Sequence, residues 1–326
     1  MLSPGGQGTL TLDKGTRVRF NLRPVAEGGF SYIYRATDSR TREKYALKRI
    51  LFDEQKELAL SEMHAHREFR HPNIMPLLDS TIQAGPGGHE YAYLLFPWVG
   101  GGTLRDWIDA RVLAARPPSD GEILAIFEGV CQAARELHSH DPPLAHRDIK
   151  PDNVMLADRL APIPILTDLG SVAPAVISVR SRAEALAVQD ETAQFCTLAY
   201  RAPELFDVAS SARLDARTDV WSLGCLLFAM AFGYSPFECE FSVEGRPRVV
   251  ECSLLRVIGP VPFPAVSACS AALRQLMLWM LEQDPQRRPT VHDVLGRVAE
   301  LRGNGRGNGD GDGGDGGGGG GGGGAY

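Results

Sequence analysis

No stretch of this 326-residue chain approaches the roughly 18 consecutive apolar residues that cross a bilayer, so no membrane span is expected. The opening, Met1-Leu2-Ser3-Pro4, lacks a cationic region followed by an apolar run and does not read as a secretory signal. Leu2 stands where N-myristoylation needs Gly, so peripheral membrane association has no acylation motif behind it. Cysteine is sparse: Cys131, Cys196, Cys225, Cys239, Cys252 and Cys269 form no C-x-x-C pair. That argues against a structural zinc site and a secreted disulfide framework, and for reduced, buried thiols in cytosol. His64, His66 and His71 lie close together, but helical spacing puts the first two on different faces, which argues against a metal cluster. Long runs of one charge are missing too. A net charge of −6 and a pI near 5.8 exclude nucleic acid as a main partner, because neutralising phosphates needs clustered Lys and Arg.

What is present divides into two textures. Residues 1–16 read as a flexible lead-in. From Arg17 to Ile50 apolar residues alternate between turn residues, the pattern of an antiparallel sheet. A helix is expected over 53–69, closed by His71-Pro72-Asn73, and two strands near 74–79 and 91–96 with a turn at Gly85-Pro86-Gly87-Gly88. Gly100-Gly101-Gly102 then breaks the chain. Beyond it Asp120–His140, 219–232, 271–282 and 290–301 carry apolar residues at helical period. The reading is an α+β fold of two lobes: a small sheet-rich lobe over 17–96, a hinge near 97–102, and a mostly helical lobe to 302. The Gly/Asp-rich tail, 303–326, has almost nothing to bury and is expected to be disordered.

The chemistry is concentrated in His146-Arg147-Asp148-Ile149-Lys150-Pro151-Asp152-Asn153. This octet is the protein-kinase catalytic-loop pattern, with Ile149 in the Leu place. Phosphoryl transfer to a hydroxyl needs a carboxylate near the attacking oxygen and an amide oxygen on a metal ion. Asp148 and Asn153 have the spacing to serve both jobs from one loop. Lys150 marks the serine/threonine class. Upstream, Ala26, Gly28 and Ser31 fill the three glycine places of a phosphate-covering loop, where close backbone approach is needed. Lys48 in Ala46-Leu47-Lys48 should reach the α- and β-phosphates of ATP, with Glu62 as its partner on the following helix; Glu57 has the wrong offset from His71-Pro72-Asn73. Asp168-Leu169-Gly170 stands where a metal-holding Asp-Phe-Gly belongs. Leu169 replaces the Phe, which points to altered regulation rather than lost chemistry. Ala202-Pro203-Glu204 closes the segment, and Arg288 is placed to pair with Glu204.

The strings Glu27-Gly28-Gly29-Phe30-Ser31-Tyr32, Tyr45-Ala46-Leu47-Lys48-Arg49-Ile50-Leu51, Asp168-Leu169-Gly170-Ser171 and Cys196-Thr197-Leu198-Ala199-Tyr200-Arg201-Ala202-Pro203-Glu204 resemble the Numb-associated kinase family over about residues 12–301. The resemblance implies a bilobal kinase fold using ATP with Mg²⁺ (Mn²⁺ being the alternative) on protein Ser/Thr hydroxyls. It implies constitutive activity, autophosphorylation and a role in membrane traffic. In its terms Asp148, Lys150, Lys48, Glu62 and Thr197 are catalytic, with Thr197 bonded to Asp148 and Lys150. Asn153 and Asp168 hold the metal. The nucleotide lies against Ala26, Gly28, Gly29, Phe30, Ser31, Ile33, Ala46, Lys48, Met155, Asn153 and Asp168, with Phe96 as gatekeeper and Pro97-Trp98-Val99 as hinge. The family's extra helix near the activation segment falls at 180–190 or at 205–217. Location is expected to be cytoplasmic, with peripheral attachment at Golgi or other endomembranes, and the chain a monomer. Ser178, Ser181 and Thr192 are candidate autophosphorylation sites. The rival reading is a pseudokinase scaffold, motivated by Leu169 and Ala26 and opposed by the intact Lys48, Glu62, Asp148, Asn153 and Asp168.

Overall fold

The computed structural model describes residues 6–28, 31–158, 160–265 and 269–306. Gly29 and Phe30 of the expected nucleotide loop, and the tail from 307 onward, lie outside the described residues. Strands β1 (Gln7–Thr11), β2 (Arg17–Asn21), β3 (Ala26–Glu27), β4 (Ser31–Asp38) and β5 (Lys44–Leu51) are followed by helix α1 (Phe52–Glu68) and strands β6 (Asp79–Ala84) and β7 (Glu90–Pro97). They form one antiparallel sheet in the order β1-β2-β4-β5-β7-β6, with β3 on β4. One face buries Leu10, Val18, Phe20, Tyr34, Leu47 and Tyr93. The other receives Ala59 and Met63 of α1 against Ile50, Leu94 and Phe96.

Two expectations are corrected here. The lead-in over 1–16 is, from Gln7, a paired strand: Leu10 lies opposite Val18, and both are buried. Gly8 permits this by leaving room for the Phe20 ring. The strand expected at 74–79 begins only at Asp79. The apolar run before it turns to the other lobe, where Met75 N–H donates to the Leu166 carbonyl.

Past the hinge the chain forms α2 (Leu104–Leu113), α3 (Asp120–His138), β8 (Leu144–Ala145), β9 (Val154–Leu156), β10 (Pro164–Leu166), β11 (Ala173–Pro174) and β12 (Ile177–Ser178). Then come α4 (Arg182–Phe195), β13 (Arg213–Leu214), α5 (Arg217–Phe232), β14 (Cys239–Phe241), β15 (Pro247–Val249), α6 (Leu254–Val257), α7 (Ala271–Met280) and α8 (Val291–Arg306). At the hinge, a Cβ on Gly101 would collide with the Leu156 carbonyl, and Gly102 takes φ +82°, so both positions favour glycine. Capping boxes start α2 (Thr103 with Asp106) and α3 (Ser119 with Glu122). Helix α5 is apolar around its circumference and buried at every position from Thr218 to Met230, so it is the post on which the lobe is built. Helix α8 runs to Arg306, so residues 303–306 of the expected tail are helical. Arg302 ties this end to Glu128 of α3. Of the two candidate stretches for an extra helix, 180–190 carries α4, whereas 205–217 is turns and β13.

Candidate active site

Lys48 is carried on β5, a central strand whose neighbours on both sides fix its register. Its side chain is 10% exposed, and its Nζ lies 2.6 Å from Glu62 Oε1 and 2.8 Å from Asp168 Oδ1. Glu62 comes from the buried face of α1, while Glu57 is exposed. Burial alone would draw the Lys48 ammonium down, but the Asp168 and Glu62 carboxylates hold it above the ordinary lysine value. Burial pushes Glu62 up against the pull of Lys48. The Lys48 ammonium draws Asp168 down to about 2, so that carboxylate stays ionised. Asp168 takes a left-handed backbone (φ +60°), sparsely populated for a residue with a side chain; such strain clusters at functional sites.

Across the cleft, Asp148 is held from three sides. Thr197 donates to Asp148 Oδ1 through its hydroxyl (2.6 Å) and its backbone N–H (3.0 Å). Asn153 Nδ2 donates to Asp148 Oδ2 at 2.9 Å, and Lys150 Nζ lies 2.8 Å from the same oxygen. Lys150 also donates to Thr197 Oγ1 at 2.7 Å, closing the ring of contacts. With both Asn153 amide hydrogens committed to Asp148, its amide oxygen is what the side chain offers the cleft. That oxygen and the ionised Asp168 are hard donors of the kind a divalent cation takes, so the residues fit a bound metal ion. Among the described residues no cluster of three or more His, Cys, Asp or Glu forms a separate metal site.

The loop itself hangs from α5. Asp219 accepts from the backbone N–H of His146 (2.7 Å) and Arg147 (2.8 Å), and from His138 Nε2 at 2.9 Å. Burial works against charge on Asp219, but these donors keep it below the ordinary aspartate range. Arg288, with no exposed side-chain surface, grips Glu204 through both guanidinium arms at 2.7 and 3.0 Å. Leu169 is fully buried with Val154 and Leu166, so the Phe-to-Leu change leaves an apolar packing position intact.

The cleft between the lobes measures about 800 Å³ and is lined by Gly28, Ser31, Lys48, Glu62, Asp148, Lys150, Asn153, Asp168 and Thr197 among others. Ala46, Phe96, Val99 and Met155 belong to the apolar cluster that also holds Ile50, Met63 and Leu94. Ala26 and Lys48 both pair with Ile33 across the sheet. Phe96 is buried edge-on to His66, while Pro97 ends β7 and Trp98 lies 4.6 Å under the Arg35 guanidinium. Sequence reading missed the outer lip, where Arg105, Asp109, Tyr234 and Glu238 line the cleft. No local pattern marks them, because α2 and the turn after α5 meet there only in the fold. One phosphosite candidate is corrected: Thr192 is buried, its hydroxyl bonded to the Gln189 carbonyl. Ser181 caps α4, and Ser178 is exposed.

The protein kinase domain family model matches residues 21–298. The chain belongs to the protein kinase family. It is 39% identical to serine/threonine-protein kinase 16 of Rattus norvegicus over 91% of this chain and 93% of the rat protein. The Homo sapiens protein of that name gives the same figures. A probable serine/threonine-protein kinase of Dictyostelium discoideum is 33% identical over 86% of this chain and 92% of its own length. The chain is thus a protein kinase of bilobal α+β fold, and family membership brings ATP and a divalent metal ion in general terms. Among the described residues no helix of this kinase is long and apolar enough to cross a membrane.

Proposed function

We propose that this kinase transfers the γ-phosphoryl group of ATP to Ser/Thr hydroxyls of protein substrates, with Asp148 as proton acceptor. The bond from the γ-phosphorus to the bridging oxygen breaks, the substrate oxygen forms the new bond, ADP leaves, and the hydroxyl proton passes to Asp148. Lys48, braced by Glu62, positions the α- and β-phosphates. Lys150 steadies the transferred group and, through Thr197, keeps Asp148 in place. Asn153 and Asp168 would hold Mg²⁺, which would supply positive charge against the phosphates. Ala46, Met155 and the hinge residues Pro97, Trp98 and Val99 would line the adenine site, and Gly28 and Ser31 would cover the phosphates. The observation that carries this reading is the closed ring of contacts joining Asp148, Thr197, Lys150 and Asn153, with Lys48 and Asp168 in the same cleft.

The resemblance to Numb-associated kinases supports three finer proposals: constitutive activity, autophosphorylation with Ser178 and Ser181 as acceptors, and action in the cytoplasm on membrane-traffic proteins. The test is transfer of labelled phosphate from ATP and Mg²⁺ by the purified protein, onto itself and onto myelin basic protein, beside Asp148→Ala. The variant is expected to bind ATP normally and lose about 10²–10⁴ in rate. Equal turnover by Asp148→Ala would remove Asp148 from its role. ATP binding without transfer by the wild type would favour a pseudokinase scaffold.

A further inference from the structure

A second cavity, of about 240 Å³, lies between the end of α3 and the first turns of α5 and α8. Pro143, Val176, Val220 and Val291 give it apolar walls. Its Arg217 and Asp215 lie 3.9 Å apart, and Arg217 Nη1 also donates to the Pro285 carbonyl at 2.9 Å. Their charges offset each other, so this pair does not call for a charged ligand. An apolar void of about 150 Å³ already holds benzene, so this cavity has room for one substituted ring and none for a nucleotide.

One wall is not apolar. His138, the last residue of α3, lines the cavity with a side chain that is 6% exposed. Its Nε2 donates to Asp219 Oδ2 at 2.9 Å. Nε2 therefore carries the ring hydrogen, and Nδ1 of the neutral imidazole is an acceptor. Among the described residues no donor reaches Nδ1, and an enclosed acceptor without a donor is unfavourable. A ring that carries a hydroxyl suits both the apolar walls and this atom.

Asp219 is also the tether of the catalytic loop. The same Oδ2 accepts the His146 N–H at 2.7 Å, and Oδ1 accepts the Arg147 N–H at 2.8 Å. Hydrogen bonds in a chain polarise one another. A donor on Nδ1 strengthens the bond from Nε2 to Oδ2, and the His146 N–H, which shares that oxygen, is held less firmly.

We propose that this cavity is a regulatory site for a small neutral phenol, whose hydroxyl donates to His138 Nδ1 and loosens the catalytic loop through Asp219. The effect on turnover rests on the kinase reading above; binding and loosening do not.

The probe is p-cresol, with toluene as the same ring without the donor. Each is titrated into the full chain by ligand-observed NMR while a non-hydrolysable ATP analogue fills the cleft. p-Cresol is expected to bind with a Kd of about 1 mM, the range open to a ligand of its size. It should bind about fivefold more tightly than toluene, the weight of one hydrogen bond. His138→Gln keeps a donor to Asp219 and loses the Nδ1 acceptor, so the two ligands should bind it alike. Val176→Trp, at a position 43% exposed, fills the cavity from its rim and should bind neither; this arm stands if His138→Gln does not fold. In the wild type, saturating p-cresol should speed amide exchange at His146 and Arg147 about fivefold, the low end of coupling between two sites, and lower kcat with the KM for ATP unchanged. In Val176→Trp it should do neither. Equal affinity for p-cresol and toluene, binding that survives Val176→Trp, binding without faster exchange, or an active enzyme whose kcat does not fall overturns this proposal: the cavity then takes an adventitious ligand only. A wild type that binds ATP but transfers nothing overturns the kinase reading alone, since binding and exchange are read without turnover.

Discussion

Cutting Glu204 back to Ala should destabilise this protein more than almost any other single change near its surface. The Glu204 carboxylate is 14% exposed, and its partner Arg288 has no exposed side-chain surface. Each Glu204 oxygen accepts one guanidinium arm, at 2.7 and 3.0 Å. Arg288 keeps two other acceptors, the carbonyls of Arg217 (2.9 Å) and Glu282 (3.0 Å), and stacks 5.1 Å over Trp221. Removing one partner of a buried pair costs about 3–5 kcal/mol, because the charge left behind stays out of water. With two carbonyls still in place, the lower end applies, about 3 kcal/mol. For a domain of this size each kcal/mol moves the melting temperature by about 2–4 °C, so Glu204→Ala should melt roughly 10 °C lower. Glu204→Gln keeps the shape and one acceptor but sets an NH₂ group against a guanidinium N–H; about half the loss is expected. The assay is equilibrium urea unfolding of the full chain. The midpoint should fall with an unchanged slope, since the surface exposed on unfolding is the same. A second arm replaces both partners, Glu204→Met with Arg288→Met. That pair should be more stable than Arg288→Met alone, because no buried charge is stranded. A loss below about 1 kcal/mol in Glu204→Ala would refute the reasoning and mean that the guanidinium finds water once the carboxylate is gone.

Two further predictions concern stability. Burial holds the His66 imidazole down at about 4, against an ordinary value of 6.5. The unfolded chain therefore binds its proton first as pH falls. Stability is complete above pH 6.5 and is lost progressively toward pH 4, by up to roughly 3 kcal/mol. His66→Leu should flatten that part of the stability-against-pH curve measured by urea unfolding; an unchanged slope would show that His66 is not the titrating group. Ser119→Ala removes the side-chain acceptor that starts α3. It should cost about 1 kcal/mol by the same assay with transfer rates unaltered.

Much of this architecture was legible because its chemistry is local. His146 to Asn153 is one continuous octet, and the residues that meet in the cleft from farther away, Lys48, Glu62 and Asp168, each sit in a short string with its own register. Glu62 was separable from Glu57 because the anchor His71-Pro72-Asn73 fixes the phase of α1. Periodicity located α3, whose Ile123, Leu124, Phe127, Val130, Cys131, Ala134 and Leu137 are buried as the spacing requires. The misses share a cause. The strand β1 is short and glycine-interrupted, and its apolar residues count only once Leu10 finds Val18. The run from Ile74 to Leu78 has the composition of a strand, but the Met75 N–H goes to Leu166 of the other lobe and only Leu78 reaches β7, through Leu95. Thr192 looks like any loop hydroxyl until α4 turns it inward. In each case the deciding partner is tertiary, and no local signal stands in for it.

The same distinction explains how Asp148 is kept in place. A short loop between β8 and β9 has too few contacts of its own to hold a carboxylate to within a fraction of an ångström. Three residues from elsewhere in the lobe supply the missing restraint. Asp219 of α5 fixes the backbone at His146 and Arg147. Thr197, at the end of α4, fixes the carboxylate itself. Glu191 of α4 occupies the side chain of Arg147, which lies between those two points. The first tether is a buried helix and is present whenever the lobe is folded. The other two come from one segment, so ordering α4 orders both. Activity should therefore track the state of α4 as a unit. Any partner that unseats Ala185 and Val188 from their core would release Arg147 and Thr197 together, and the loss of transfer would exceed what either contact alone explains.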